Sequence, residues 1–570
     1  MVKVKTFQTL LVTSMITICL VSLLNPQIIY SQAGSSAPPV QLSSTVRMLL
    51  AHGPVNNNNN TGNGIGQFDN RTCSFSGDPA ANINLRCDNQ FHPFAETAIA
   101  ADPTNPDHLL VGANDNIVLG VGPGFTFHNV IGFFVSFDGG TTWTSGQIPA
   151  SAGGAADPAP AFNTRFGTAH MAHVGVDCSS FSCTFSAQVS TSQDGGLSWG
   201  NPVKVASGMG RLYVSETAVV NDKPWIVADN NPSSRYYGRL YLTWSRFFLP
   251  AGPYFEDPIY FSYSDDGGRK WSPGVEISGS SSVYCNSTGQ APGHRCADDQ
   301  FSTPVVLPNG TVVVHFMNWD HVAAWEAAKE GDSQTMVVRS TDGGTTWSDP
   351  IHIVDLEDST AFPPGYPLPH LGDYPISDAG GVSTLTGHEF TVWSVQEMIA
   401  DPVTGNLYAF VTDNRDGVHD SFSPVTESNV FMTKSTDGGI TWQGPIRVTS
   451  GPGDRWMASC AAYNDQVRVM FLDGSYDFPK RTLYGVTLGS SADGGSTWSF
   501  ERVDSAPSNP NNSFWFASGA SGCPTCTSFI GDYQGIAMDA LGRAHVVWTD
   551  MRRDILSPPR KAHDIEYARR

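Results

Sequence analysis

The chain has 570 residues, enough for one large closed β architecture or for several domains, and only 15% of them are charged. Its formal net charge of −21 speaks against a nucleic-acid partner, because phosphate binding needs clustered Lys and Arg, and it opposes long-range steering of anionic ligands unless a local arginine cluster intervenes. With 57 glycines and 38 prolines, the composition fits short strands joined by tight turns rather than long helices.

The first element reads as an export signal over residues 1–33. Lys3 and Lys5 precede an apolar or hydroxylic run from Leu10 to Leu24, and Ser31, Ala33 and Gly34 offer small residues for cleavage. That run is about 15 residues, against the ~20 of a spanning helix. A secreted or extracellular-surface protein is expected, attached to a membrane only if the segment stays uncleaved. Residues 34–90 are rich in Asn, Pro and Ser, including the run Asn56 to Asn60, and read as a linker that also carries a closing strand. Asn59, Asn70, Asn286, Asn309 and Asn511 stand in N-x-Ser/Thr sequons.

Eight of the 10 cysteines fall into close pairs: Cys73/Cys87, Cys178/Cys183, Cys285/Cys296 and Cys523/Cys526. Local disulfides of this kind suit an oxidising compartment. Cys460 stands in an apolar strand-like run and reads as a buried free thiol. Cys523-Pro-Thr-Cys526 lacks the βαβ context of a redox motif and the second ligand pair of a zinc site, so a loop disulfide is the better reading.

From residue 91 onward a repeat decides the fold. Six segments share one pattern, beginning with Ser136-Phe-Asp138-Gly-Gly140-Thr-Thr142-Trp143. The others centre on Asp194, Asp266, Asp342, Asp437 and Asp493, with Lys270 replacing the hydroxyl residue in the third. Asp-Gly between two strand-like runs is a strong hairpin signal, because Gly accepts φ > 0. The Asp carboxylate can bond turn N–H groups, and the Trp can fold into the packing between sheets. Upstream of each turn lies a further strand pair, for example Glu96 to Ala100 with His108 to Ala113. A four-stranded unit that cannot close alone implies radial stacking. A last unit has three strands, Gly535 to Met538, Ala544 to Trp548 and Asp564 to Ala568. Its fourth is expected from an N-terminal segment such as Val46 to Leu50. The expected fold is an all-β single propeller of four-stranded antiparallel blades over residues 91–570, seven blades preferred and six the alternative, closed by an N-terminal strand.

These turns resemble the Asp boxes (bacterial neuraminidase repeats) of secreted sialidase-like proteins, over roughly residues 95 to 570. Asp222-Lys-Pro-Trp225, Gly531-Asp-Tyr-Gln-Gly535 and Trp548-Thr-Asp-Met-Arg552 also resemble stretches of that group. The resemblance implies a glycan or cell-surface polymer as partner. A true sialidase of this kind implies an arginine triad on the substrate carboxylate, a Tyr–Glu nucleophile pair and an Asp acid/base. This chain departs from that pattern: Phe91-His-Pro-Phe-Ala-Glu-Thr97 holds no arginine where an Arg-Ile-Pro-like motif is expected. Glycan binding without hydrolysis, an exo-α-sialidase type of glycoside hydrolase, and a protein-interaction scaffold therefore stand as alternatives.

Propeller topology gathers the starts of the innermost strands and the loops after the second strands on one face. The first set gives Glu96, Asp157, Asp222, Asp299, Arg455, Asp532 and Tyr533. The second gives Asp115, Asp177, Arg246, Asp320, Asp413, Asp473, Asp550 and Arg552. Asp532, Tyr533 and Arg552 are the catalytic candidates: an acid, a phenol and an anion clamp. Glu96, Asp222, Arg246, Asp413, Arg415, Arg455 and Asp550 are the substrate-binding candidates. No cofactor is obligatory, although a rim of aspartates can hold Ca²⁺, the alternative being that each Asp caps its own turn. The insertion from Leu356 to Glu389, with His370 and Gly372-Asp-Tyr374, is a candidate lid or a plain surface loop.

Overall fold

The computed structural model describes residues 73–86, 93–118, 127–151, 153–179, 182–209, 218–249, 256–286, 293–321, 332–356, 385–386, 388, 390, 392, 397–417, 425–510, 530–553 and 563–570. Its regular structure is almost wholly β. In chain order, β1 (Cys73–Ser76) and β2 (Ile83–Asn84) come first. They are followed by β3 (Phe94–Asp102), β4 (Asn105–Val118), β5 (Phe127–Ser136) and β6 (Thr142–Gln147), which pair antiparallel as neighbours, with β1 added beyond β6. Then come β7 (Gly154–Asn163), β8 (Thr168–Ser179), β9 (Ser182–Ser192) and β10 (Val203–Ala206). β11 (Ala218–Ala228), β12 (Leu240–Leu249), β13 (Ile259–Ser264) and β14 (Val275–Glu276) follow. These two four-stranded runs form one sheet through the parallel bridge Val220↔Phe185.

Three separate four-stranded antiparallel sheets come next. They are β15 (Asp299–Val306), β16 (Val312–His321), β17 (Asp332–Ser340) and β18 (Ile351–Asp355); β19 (Glu397–Ala400), β20 (Leu407–Asp413), β21 (Asn429–Ser435) and β22 (Gln443–Arg447); and β23 (Arg455–Tyr463), β24 (Gln466–Asp473), β25 (Gly485–Ser491) and β26 (Ser499–Arg502). The last sheet takes β27 (Gly535–Met538), β28 (Ala544–Asp550) and β29 (Asp564–Arg569), with β2 as its fourth strand. Ile83 lies opposite Tyr567 and Asn84 opposite Glu566. The N-terminal segment thus does supply this fourth strand, through Ile83–Asn84; Val46 to Leu50 lies outside the described residues.

The first strand of each run packs on the next: β3 on β7, β7 on β11, β11 on β15, β15 on β19, β19 on β23, β23 on β27, and β27 back on β3. The central strands of each sheet are buried on both faces, as in β16, where Val312 to Asp320 are all buried. That explains why they read as continuous apolar runs rather than strict alternation.

The six hairpin turns share one geometry. Ser136 Oγ accepts the Gly140 N–H (2.9 Å) and donates to Asp138 Oδ1 (2.9 Å), while that carboxylate accepts the Thr142 N–H (2.8 Å) and hydroxyl (2.6 Å). Asp194, Asp342, Asp437 and Asp493 repeat this set. Asp266 keeps the Ser264 hydroxyl (3.0 Å) and the backbone donors of Arg269 and Lys270, and lacks only the side-chain hydroxyl that Lys270 replaces. Although their partial burial works the other way, these donors hold the carboxyls of Asp342 and Asp437 down at about 2.

The second glycine of each turn sits against the preceding run: Gly140 on Tyr567, Gly196 on Leu110, Gly268 on His170, Gly344 on Phe261, Gly439 on Val313 and Gly495 on Met432. Cys285 and Cys296 form a disulfide; Cys183 is disulfide-bonded, and the backbone of Cys178, whose side chain lies outside the described ones, stands opposite it in register. Cys460 is a buried free thiol. Cys87, Cys523, Cys526 and the side chain of Cys73 lie outside the described residues, as do Asn59, Asn70, Asn511 and the His370 to Tyr374 stretch; Asn286 and Asn309 are exposed.

Candidate functional site on the innermost strands

Five of the innermost strands, β3, β7, β11, β15 and β23, are broken by a bulge. The register jumps between Ala95 and Ala98, Ala156 and Ala159, Asp222 and Trp225, Gln300 and Thr303, and Trp456 and Ser459. Within each jump one residue adopts a left-handed backbone: Glu96 (φ 56°), Asp157 (59°), Lys223 (52°), Phe301 (56°) and Met457 (52°). A bulge re-aims the side chain it carries, and such backbone costs about 1–3 kcal/mol per non-Gly residue. Its recurrence makes it part of the architecture. Tyr533 occupies the corresponding place in the last sheet, ahead of the Gly535↔Val547 pair.

Four of these positions, with two neighbours, make one buried cluster: Glu96, Asp157, Asp222, Lys223, Asp532 and Tyr533. Lys223 is 3% exposed, and its Nζ stands 3.0 Å from the centre of the Tyr533 ring and 5.0 Å from that of Trp225. The Nζ makes no hydrogen bond among the described residues. Asn114 ties the Glu96 carboxyl to the Asp157 backbone: its amide donates to Glu96, and its oxygen accepts the Asp157 N–H at 2.9 Å. Asp222 accepts from its neighbour's Lys223 N–H (3.0 Å) and from Gln300 Nε2 (3.1 Å). The Tyr533 hydroxyl donates to the Pro158 carbonyl at 3.2 Å.

Burial first, and then the adjoining Glu96 carboxyl, push Asp157 well above the usual carboxylate range. With every carboxyl ionised neither Asp157 oxygen has a donor, so a proton on one member of the pair satisfies both groups. Burial lowers Lys223 against the pull of Asp157, Glu96, Asp532 and Asp222. It also raises the Tyr533 phenol well above its ordinary value, with the same carboxyls adding to the effect. One layer along, Glu397 stands at the first paired position of β19 and is half-buried. Burial pushes it up to about 7, although it accepts from Ser459 Oγ and from the Cys460 N–H (2.8 Å). Trp225, at the same level in β11, is also half-buried. A carboxyl poised near neutrality, a proton-sharing acid pair, a buried amine and two aromatic rings can hydrogen-bond hydroxyl groups and exchange protons.

Of the candidates read from sequence, the structure brings Glu96, Asp222, Asp532 and Tyr533 together. Arg552 lies elsewhere, with Nε on Asp550 Oδ1 (2.8 Å) and Nη1 on Ser505 Oγ (2.7 Å). Arg415 grips Asp413 and donates to the Asp355 carbonyl (3.2 Å). Arg455 is buried and holds its own loop through the Gly451 (2.7 Å) and Gly453 (2.8 Å) carbonyls. Arg246 takes the β12 position that aspartate holds in β4, β24 and β28, donates to Asn221 (3.0 Å) and lies near the Phe248 and Tyr260 rings. Lys223 and Glu397 were missed. Lys223 sits inside a quoted stretch, but nothing in a sequence shows a lysine turned inward by a bulge.

A second acidic group, Asp257, Asp298, Asp299 and Asp320, lies at the start of β15. Burial first, then Asp320, push Asp298 up to about 8. Among the described residues no group of three or more His, Cys, Asp or Glu is placed to hold a metal ion. No helix among them is long and apolar enough to cross a membrane.

No protein-family model matches the chain, and no curated protein matches it in sequence. Among solved structures it is similar to an α-L-arabinofuranosidase from Fusarium graminearum, at 12% identity and TM-score 0.40, over 73% of this chain and 98% of that one. It is similar to a Hadza microbial sialidase at 12% and 0.38, over 87% and 94%. It is also similar to a leech intramolecular trans-sialidase at 9% and 0.38, over 88% and 98%.

Proposed function

We propose that this chain is an exported seven-bladed β-propeller of the Asp-box, sialidase-like kind, directed at glycans through the cluster on its innermost strands. The cyclic packing of first strands, from β3 round to β27 and back, supports the seven-bladed arrangement, with β2 completing the last blade. The export signal and the Cys285–Cys296 disulfide support passage to an oxidising compartment.

One observation carries the glycan reading. Glu96, Asp157 and Lys223, each at a bulge of a separate strand, meet Tyr533 at one place, where they offer hydroxyl-binding acceptors and a donor. Glycan-array or calorimetric binding tests it: Asp157→Asn and Glu96→Gln are expected to weaken binding at least tenfold. Binding unchanged in both variants sinks the assignment of the site. A stoichiometric protein partner captured without glycan dependence replaces it with a scaffold role.

Hydrolysis is the second reading, favoured by the Asp157–Glu96 pair and by Glu397 held at about 7. Two carboxyls of different proton affinity are what glycosidic cleavage requires. Turnover across an aryl-glycoside panel, including aryl-sialosides, that disappears in Tyr533→Phe or Asp532→Asn is the expected result; no turnover leaves a binding protein.

A further inference from the structure

The six Asp-box turns are internal controls for one another, and one of them differs in charge. Between the glycines and the tryptophan, five turns carry Thr-Thr, Leu-Ser, Thr-Thr, Ile-Thr and Ser-Thr. The third carries Arg269 and Lys270, both exposed. Lys270 deprives that turn of the side-chain hydroxyl bond that Asp138, Asp194, Asp342, Asp437 and Asp493 each accept. The turn gives up a local bond and gains two cations.

Two neighbouring turns add to them. Arg165 and Phe166 are exposed between β7 and β8. Arg165 Nη1 donates to the Tyr237 carbonyl at 2.6 Å, and the Phe166 ring lies 3.4 Å from where a Cβ on Gly267 would stand. Arg235 and Arg239 come from the turn between β11 and β12, longer than any other described turn between a first and a second strand. Asp265 takes two bonds from Arg239 (2.7 and 2.8 Å). Arg165, Arg235, Arg269 and Lys270 form no ion pair among the described residues.

In these three turns five cations meet three carboxylates, Asp229, Asp265 and Asp266. Asp229 is buried and bonded to Ser234, and Asp266 accepts from its own turn. The exposed charge is therefore positive, on a chain of net charge −21. Such a cluster locally overrides the repulsion that the whole molecule presents to an anion. It lies where β7 and β11 end, away from the buried cluster near their starts.

Guanidinium groups match the geometry of oxyanions. Arg165 lies over the Phe166 ring (5.5 Å), and Arg235 (4.8 Å) and Arg239 (4.7 Å) over that of Tyr236. Rings so engaged brace the cations rather than serve as platforms for stacked bases. A nucleic-acid duplex, with one charge per ~1.7 Å, would also crowd phosphates against the acidic remainder of the molecule. A polysaccharide that carries its sulfates or carboxylates one or two to a sugar is charged more sparsely.

We infer that the third Asp-box turn, with Arg165 and Arg235 beside it, forms a docking surface for an acidic polysaccharide, held through its sulfate or carboxylate groups. This surface is additional to the glycan reading above and does not depend on the buried cluster.

Calorimetry or biolayer interferometry on the full chain tests it. Heparin is the sulfated probe, polygalacturonate the carboxylated one and dextran the neutral control. Duplex DNA and phosphatidylserine vesicles represent other classes of polyanion. At least one acidic polysaccharide is expected to bind and dextran not, with affinity falling at least tenfold between about 50 and 200 mM salt. Which of the two binds distinguishes sulfate from carboxylate. Arg269→Thr with Lys270→Thr gives this turn the residues of the first and fourth. That variant is expected to melt no lower than the parent and to lose at least tenfold in affinity. Arg235→Gln, an exposed change, is expected to lose at least threefold and decides the matter should the double variant not fold. Binding by neither acidic polysaccharide, or binding unchanged in the variants, overturns the surface. DNA or vesicles bound as tightly overturn its assignment to polysaccharide. Loss in Asp157→Asn but not in these variants moves acidic-glycan binding to the innermost strands and overturns the surface while leaving the glycan reading intact.

Discussion

Tyr567, on β29, packs edge-to-face on Trp143 of the first hairpin turn, ring centroids 4.8 Å apart and planes at 67°. Phe261 meets Trp347 at the same 4.8 Å and at 70°. Phe410 and Trp498 stand 6.0 Å apart at 85°. In each case the turn tryptophan of one sheet leans on an aromatic ring of the sheet before it, and for the first sheet the one before is the last. Such a pair contributes about 0.5–1.5 kcal/mol beyond its buried area.

Gly140 is the tightest point of that contact. Its φ is +88°, and an added Cβ meets the Tyr567 hydroxyl oxygen at 2.0 Å. At Gly196 the nearest atoms stand at 3.4 Å, with φ +104°. Gly140→Ala is expected to cost about 3 kcal/mol or more, from backbone strain plus overpacking. Gly196→Ala is expected to cost about 1–2 kcal/mol, from strain alone. Denaturant midpoints of the two variants decide it; equal losses contradict the packing argument.

Glu397 is expected to make stability fall with rising pH. Its folded value of about 7 lies above the ordinary one near 4.3. The folded state therefore holds a proton that the unfolded chain releases between those limits. The contribution is full below about 4.3 and is lost as pH rises through 7. Glu397→Gln cannot titrate, so relative to the parent it gains on the order of 3 kcal/mol between pH 4 and pH 8. Parallel stability profiles refute the burial argument.

His563 works in the opposite sense. Burial lowers it to about 4, so the unfolded chain binds the extra proton first. Its contribution is present above the ordinary 6.5 and is lost as pH falls through 4, on the order of 3 kcal/mol. His563→Gln is expected to flatten the acid limb of the stability curve between pH 6 and pH 4, whatever it does to stability at pH 7.

The disulfide closes a short loop, with Cys285 and Cys296 11 residues apart. Replacing both by Ser is expected to cost about 2–3 kcal/mol. Cys460 is buried, and burial raises its thiol well above the ordinary value. Maleimide labelling located by mass spectrometry should find Cys460 unmodified in the native protein and modified in denaturant.

The strand framework was legible because its signals are local. Asp-Gly turns sit within eight-residue segments, and the runs flanking them are β-rich on their own. The site was legible only in part. Glu96, Asp222, Asp532 and Tyr533 follow from counting to the start of each innermost strand. Lys223 and Glu397 do not, because a lysine is ordinarily a surface residue and only the bulge at Asp222/Trp225 turns this one inward. Arg552 was placed on the same face as Tyr533, yet its guanidinium is held by Asp550 and Ser505. Side-chain direction, unlike strand position, depends on partners distant in sequence. The two-residue strand Ile83–Asn84 is too short to carry any periodicity.

That short strand has a kinetic consequence. It pairs with β29, and Arg86 bonds Asp564 across 478 residues. An emerging polypeptide can form its interior hairpins as they appear, but the sheet of β27, β28 and β29 must wait for the last residues before β2 can join it, so β2 keeps raw strand margins until late in synthesis. Slow, late maturation of that sheet is the natural outcome of such long-range pairing.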